Sequence, residues 1–219
     1  MFILSEEQQQ MCHMVSQFAQ EKIQPHALTW DEQDFFPRAV FQEAAQLGLA
    51  GLFVKEDIGG SHLSRQDGAL IFTELAKACP STSAFLSIHN MVTALVDEYA
   101  KPEIRHYWGP LLTSMQAIGS YCLTEPNSGS DAASLKTTAK DMGDYYLVNG
   151  SKAFISGAGE SDIYVTMVRT GDESYKGISC LLIPKDIPGV RFGKKEQKMG
   201  WRNQPTACLL YTSDAADDT

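Results

Sequence analysis

Apolar positions in the first half of the chain recur at helical intervals. Met11, Val15, Phe18 and Ile23 follow a Ser5/Gln8 pair with the spacing of a capping box, which predicts a helix starting just after Ser5. Pro37 stands where a helix can begin, Phe41, Ala44, Ala45 and Leu47 supply its apolar face, and Gly48 is its expected stop. A Gly/Ser loop at 58–62 separates this helix from residues 67–78, where Leu70, Ile71, Leu75 and Ala78 share a face. Two further helices are expected, one within 82–99 and one over 102–113.

Past about Ile118 the period changes. Short β-branched and aromatic runs appear at 118–123, 135–139, 145–148, 153–155, 163–168 and 178–183, each bounded by Gly, Pro, Asn or Asp. Helices followed by strands imply segregated α and β layers, an α+β class with the boundary near residue 117. Asn149-Gly150 sits between two apolar, aromatic-bearing runs, the pattern of a hairpin with a type I′ turn.

Length and charge narrow the function classes. The 219 residues suffice for one large or two small cores, 43% of them are hydrophobic, and the formal charge is −9. No apolar run is long enough to span a bilayer, and the acidic balance disfavours nucleic acid as a partner. Cys12, Cys79, Cys122, Cys180 and Cys208 form no C-x-x-C pair, which argues for a reducing compartment and against zinc. The histidines, His13, His26, His62, His89 and His106, have no ligand spacing and read as surface or satisfied partly buried residues. The start, too quickly acidic for a secretory or Arg-rich transit peptide, fits a cytoplasmic bacterial protein or a mitochondrial matrix protein with its presequence absent.

The chemistry concentrates in one stretch, Tyr121-Cys122-Leu123-Thr124-Glu125-Pro126-Asn127-Ser128-Gly129-Ser130-Asp131, a strand running into a loop rich in hydroxyls and backbone N–H groups. It reads as an anion and cofactor cradle, with a plain surface turn as the alternative. Some twenty residues later comes Asn149-Gly150-Ser151-Lys152-Ala153-Phe154-Ile155-Ser156. This pair, extended through Gly157-Ala158-Gly159-Glu160-Ser161-Asp162-Ile163-Tyr164, resembles the acyl-CoA dehydrogenase family of flavoenzymes. Ser87-Ile88-His89-Asn90-Met91 and the stretch after Phe154 look most like its isobutyryl-CoA, short branched-chain members.

The resemblance implies an N-terminal all-α domain at 1–117, a middle, mainly antiparallel β domain at 118–207, incomplete here, and a C-terminal helical domain missing from the chain. It implies FAD, cradled by Tyr121, Cys122, Leu123, Thr124, Gly129 and Ser130 and by Phe154, Ile155 and Ser156. Thr124 would donate to the pyrimidine edge of the ring and Ser156 would lie near N5, where fixed donors stabilise the charge left by reduction. Phe154 would wall the flavin, and Ser130 would sit between the pantetheine and the flavin phosphates, making it substrate-binding as well. It further implies an acyl-CoA substrate, electron-transfer flavoprotein as partner and a homotetramer for the intact enzyme. Asp131 reads as a local cap before a catalytic group. Asn127 departs from the family's usual Gly, a change the turn should survive because Asn tolerates left-handed angles.

No catalytic residue is assigned. The family's base is a glutamate of the C-terminal domain, and none of Glu74, Glu98, Glu125, Glu160 or Glu173 matches its motif, so this chain alone should not turn over substrate. A straight short-chain acyl-CoA dehydrogenase and a non-enzymatic β-domain interaction module are the competing readings. Gly157-Ala158-Gly159 is no dinucleotide fingerprint, because Asp162 replaces the third Gly and a strand follows where a helix should start. Gly177-Ile178-Ser179 falls short of a nucleophile elbow, since Leu181 closes the motif. Lys194, Lys195 and Lys198 could attract CoA phosphates or form a solvated surface. Residues 199–206 resemble a family segment without a role that the sequence identifies.

The end of the chain reads differently. Residues 208–217 match the in-frame translation TGT CTC TTA TAC ACA TCT GAC GCT GCC GAC of a transposase sequencing adapter, and 208–219 is therefore expected to be a foreign tail. A native acidic tail is the alternative.

Overall fold

The structure, a computed structural model, describes residues 4–172 and 174–212. The chain divides into two compact units between Ala117 and Ile118, with residues 197–204 returning to the first.

The first unit is helical, with α1 Glu6–Phe18, a π-helical turn Ala19–Ile23, α2 Ala27–Glu32, α3 Arg38–Gln46, α4 Arg65–Ala78, α5 Pro80–Tyr99 and α6 Pro102–Thr113. The Ser5/Gln8 box forms in both directions, Gln8 N–H donating to Ser5 Oγ at 3.1 Å and Ser5 N–H to Gln8 Oε1 at 3.2 Å. Proline opens both α5 and α6, where its missing N–H is no loss. Helix α5 is the spine: Phe85, Leu86, Val92 and Val96 are buried, and Phe85 meets the rings of Phe36 and Phe41 at 4.9 and 5.3 Å. Its buried Asn90 is fully engaged, donating to the Leu49 and Leu86 carbonyls and accepting from Leu52 N–H. His89 is likewise buried, with Nε2 3.0 Å from the Leu112 carbonyl.

Residues 197–204 are held in this unit by polar contacts. Arg202 donates from its backbone to Asp31 at 2.6 Å and from Nε to Asp34 at 3.0 Å, and Asn203 reaches Thr82 Oγ1 at 3.1 Å. These bonds give the 199–206 segment a role that its sequence did not reveal.

The second unit is a sheet of β1 Gly119–Cys122, β2 Thr138–Asp141, β3 Tyr146–Ser156, β4 Ile163–Arg169, β5 Ile178–Pro184, β6 Val190–Phe192 and β7 Thr206–Tyr211. Strands run β1-β4-β2-β3-β7-β6, with β5 on β4. The β2–β3, β3–β7, β4–β5 and β6–β7 pairs are antiparallel, whereas β1 and β2 both run parallel to β4. Cys122, Ile155, Ala158, Tyr164, Ile183, Ala207, Leu209 and Tyr211 form its core.

The structure corrects two expectations. Asn149-Gly150 is not a hairpin turn but the middle of the 11-residue β3. There β3 changes partner, from β2 at Tyr146 through Asn149 to β7 from Gly150 onward. The turn lies earlier, where Met142 N–H bonds the Tyr145 carbonyl at 3.0 Å and Gly143 takes φ +99°. Cys208 through Tyr211, set aside from the fold by the adapter match, lie within β7, with Leu209 and Tyr211 buried and Tyr211 Oη 2.8 Å from Thr166 Oγ1. Alternation explains this: the apolar side chains at 207, 209 and 211 all face the core. Residues 213–219 lie outside the described residues.

Candidate functional site

Two segments of the β unit are brought together at the end of β1. Ala153 N–H donates to the Thr124 carbonyl at 2.8 Å, and Ser120 Oγ donates to the Ser156 carbonyl at 2.5 Å. Residues 120–124 therefore lie beside residues 153–156. The following loop is folded on itself: Glu125 and Ser128 exchange backbone bonds at 2.9 and 3.1 Å, and Ser128 Oγ donates to the Asp131 carbonyl at 2.6 Å.

Between Lys152 and Ile155 the β3–β7 register shifts, and Phe154 takes φ +59°. A β-bulge of this kind re-aims a side chain. Phe154 is 66% exposed, while Ala153 and Ile155 on either side are buried. A left-handed angle at an aromatic residue is strained, and such strain gathers at functional positions.

Each residue of the expected cradle has a definite place. Tyr121, Leu123 and Thr124 are half-buried, and Gly129 and Ser130 are exposed. No hydrogen bond engages the side-chain hydroxyls of Thr124, Ser130 or Ser156 among the described residues, which leaves three donors for a ligand. A Cβ built on Gly129 would meet nothing within 4 Å, so the chain there faces open space. Cys122 and Ile155 are buried in the core, so only their backbones are available to a ligand. Burial pushes the Cys122 thiol up to about 12, which makes it inert at neutral pH.

Other residues of the loop have local work. Asp131 accepts from Ser134 Oγ and from Ser134 N–H, closing the 3-10 turn Ala132–Ser134. Asn127 keeps a negative φ, so the turn does not need the angles that Gly favours. Gly159 N–H donates to Tyr164 Oη at 3.0 Å and its carbonyl accepts from Lys185 at 2.7 Å, so that glycine turn is internally engaged. Lys198 is engaged too, donating to the Trp201 and Gln204 carbonyls at 2.6 and 2.7 Å.

Glu125 and Lys152 are the residues that the sequence reading passed over. Lys152 is fully buried, Glu125 is 8% exposed, and Lys152 Nζ lies 2.8 Å from Glu125 Oε1. Lys152 also donates to the Leu123 carbonyl at 3.1 Å, and Glu125 accepts from the Lys136 and Thr137 N–H groups at 2.7 and 2.9 Å. Burial opposes charge on Glu125, but Lys152 and the amides outweigh it and hold the carboxyl down at about 2. Burial pulls the Lys152 ammonium below its ordinary value, with Glu125 opposing. Alternation along β3 gave no signal for the pair, since Lys152 and Ala153 are both buried side by side.

The N-terminal domain of acyl-CoA dehydrogenases matches residues 5–116 and their middle domain matches residues 120–214. The chain is 56% identical over 95% of its length to the mitochondrial isobutyryl-CoA dehydrogenase of Dictyostelium discoideum, and 50% identical over 95% to that of Bos taurus, covering 50% of each. The chain thus spans about half the length of the curated relatives it matches. A glutaryl-CoA dehydrogenase of Mycobacterium smegmatis, solved in complex with FADH2, superposes with a TM-score of 0.90 at 26% identity, over 95% of this chain and 53% of that one.

Proposed function

This chain belongs to the acyl-CoA dehydrogenase family, and on that premise we propose that it is part of an enzyme that desaturates a short branched-chain acyl-CoA of the isobutyryl type to the 2-enoyl-CoA. The observation that carries the proposal is the pairing of residues 120–124 with 153–156, beside which Phe154 is exposed and the Thr124, Ser130 and Ser156 hydroxyls carry no hydrogen bond among the described residues. The isobutyryl preference is supported by relatives of that name at 50 and 56% identity.

The rim fits FAD. It offers hydroxyl donors without competing partners, an exposed aromatic face and, at Gly129, backbone that a ligand can approach closely. When bound, FAD supplies the hydride-accepting chemistry of the reaction. Thr124 and Ser156 would hold the ring by hydrogen bonds, Phe154 would cover it, the backbone of Tyr121 through Leu123 and of Ile155 would support it, and Ser130 with Gly129 would face the phosphates and the pantetheine. Donors fixed before the reaction need no reorganisation as negative charge develops, which is where their contribution lies. None of the glutamates of this chain is assigned as the base for the α proton. Glu125, paired to Lys152 and closed in, is unsuited to that task. Electron-transfer flavoprotein as acceptor, a homotetrameric assembly, and a mitochondrial matrix location, or a cytoplasmic one for a bacterial source, complete the proposal.

Substrate-dependent bleaching of the flavin absorbance in the complete polypeptide tests it. Bleaching by isobutyryl-CoA faster than by butyryl-CoA is the expected result. Preference for butyryl-CoA would make it a straight-chain enzyme, and purification without flavin would favour an interaction module.

A further inference from the structure

We infer that the buried Lys152–Glu125 pair is a positioning clamp for the cofactor rim, fixing residues 123–125 and 152–154 at the spacing a flavin ring requires. The inference rests on reading that rim as the flavin cradle.

Lys152 donates at once to the Leu123 carbonyl and to Glu125, so one side chain from β3 grips the chain on both sides of Thr124. Glu125 in turn accepts from the amides of Lys136 and Thr137, which ties the loop to the approach to β2. The Ala153 N–H bond to the Thr124 carbonyl lies between these grips. The approach to β2, through two amides, and β3, through the Lys152 side chain, therefore meet at one carboxylate.

Stability gained over an apolar replacement does not account for the pair. Apolar residues of similar volume commonly serve a buried site as well or better, because two charges withdrawn from water carry a large desolvation cost. What an ion pair adds is direction: its hydrogen bonds hold particular backbone atoms at particular places. Phe154 needs such support. Its left-handed backbone is strained and its ring is mostly exposed, so its own packing offsets little of that strain. The neighbouring anchor is Lys152, two residues before it on the far side of the Ala153 bond.

The test uses the complete polypeptide carrying Lys152→Met together with Glu125→Gln, which removes both full charges and strands neither. Three quantities are compared with the parent: amide exchange at Ala153 without FAD, melting temperature, and the affinity and visible spectrum of bound FAD. The clamp predicts at least tenfold faster exchange at Ala153, melting close to the parental value, at least tenfold weaker FAD binding, and a shifted or less resolved flavin band. Parental exchange with parental FAD affinity would overturn it. Loss of the cooperative melting transition in this variant and also in Glu125→Gln alone would reduce the pair to a folding element and overturn it equally. A parent that binds no FAD while Ala153 is protected would sink the cradle reading itself, a failure distinguishable from the first.

Discussion

A β carbon added at Gly150 would stand 2.5 Å from Thr137 Oγ1 and 2.7 Å from Thr137 Cα, because β3 passes the approach to β2 at that point with almost no space between the two chains. Gly150 also has φ +148°, an angle that residues with side chains rarely adopt. Gly150→Ala should therefore destabilise the β unit by about 1–3 kcal/mol, since the Thr137 backbone cannot move aside cheaply. Urea denaturation of the variant measures this; a parental midpoint would contradict the close approach.

The same glycine shows where the sequence was legible and where it was not. Local signals were read correctly: the Ser5/Gln8 box caps α1, Pro37 precedes α3, and the helix expected over 102–113 is α6. Asn149-Gly150 has the composition of a tight turn, yet the glycine is needed because another strand crosses close by and β3 changes partner. That requirement comes from residues 137 and 211, far along the chain, and composition at 149–150 does not encode it. The hydroxyls and the aromatic residue of the proposed rim were singled out through the family resemblance of residues 121–131 and 149–156. The Lys152–Glu125 pair was missed because its partners lie 27 residues apart and each charge, taken alone, looks like a surface residue.

Leu209 and Leu210 lie side by side on β7 and should respond oppositely to truncation. Leu209 is fully buried in the β core, so Leu209→Ala should cost about 2–5 kcal/mol. Leu210 is 38% exposed, and Leu210→Ala should cost well under about 1 kcal/mol. Equal midpoints for the two variants would argue against β7 being integral to the sheet.

Acid should loosen the β unit through Glu125. Its carboxyl is held at about 2 in the fold against an ordinary 4.5, so the folded state favours the ionised form. That contribution is fully present above about pH 4.5 and is lost as pH falls toward 2. Unfolding free energy measured across this window should fall with decreasing pH in the parent. Glu125→Gln should flatten that slope, and an unchanged slope would remove Glu125 as its source.

Ser156→Ala should separate the hydroxyl from the strand that carries it. The contact within the fold uses the Ser156 carbonyl, which accepts from Ser120 and survives the substitution. Melting of the FAD-free protein should therefore stay near the parental value. Flavin reduction by acyl-CoA in the complete polypeptide should slow at least several-fold, as expected for a lost hydrogen bond of about 1–3 kcal/mol at a site of developing charge. An unaltered reduction rate would place the hydroxyl away from the reacting ring.

Gly129→Val is the sharper test of the rim, because the fold itself is indifferent to that position. No atom lies within 4 Å of a β carbon built there, and Gly129 is absent from the positive-φ glycines, so a side chain meets neither a clash nor backbone strain. The FAD-free variant should accordingly melt within about 1 °C of the parent, as an exposed substitution away from structural contacts does. A branched side chain would nevertheless fill the open space that the proposed function gives to phosphate or pantetheine, and close approach of a ligand to backbone is what glycine permits. Flavin content after purification and after reconstitution should fall sharply in the complete polypeptide, by more than in Ser156→Ala, because exclusion by volume removes the ligand where loss of one donor only weakens it. Full flavin occupancy with a parental reduction rate in the Val variant would show that the cofactor does not pass along this loop.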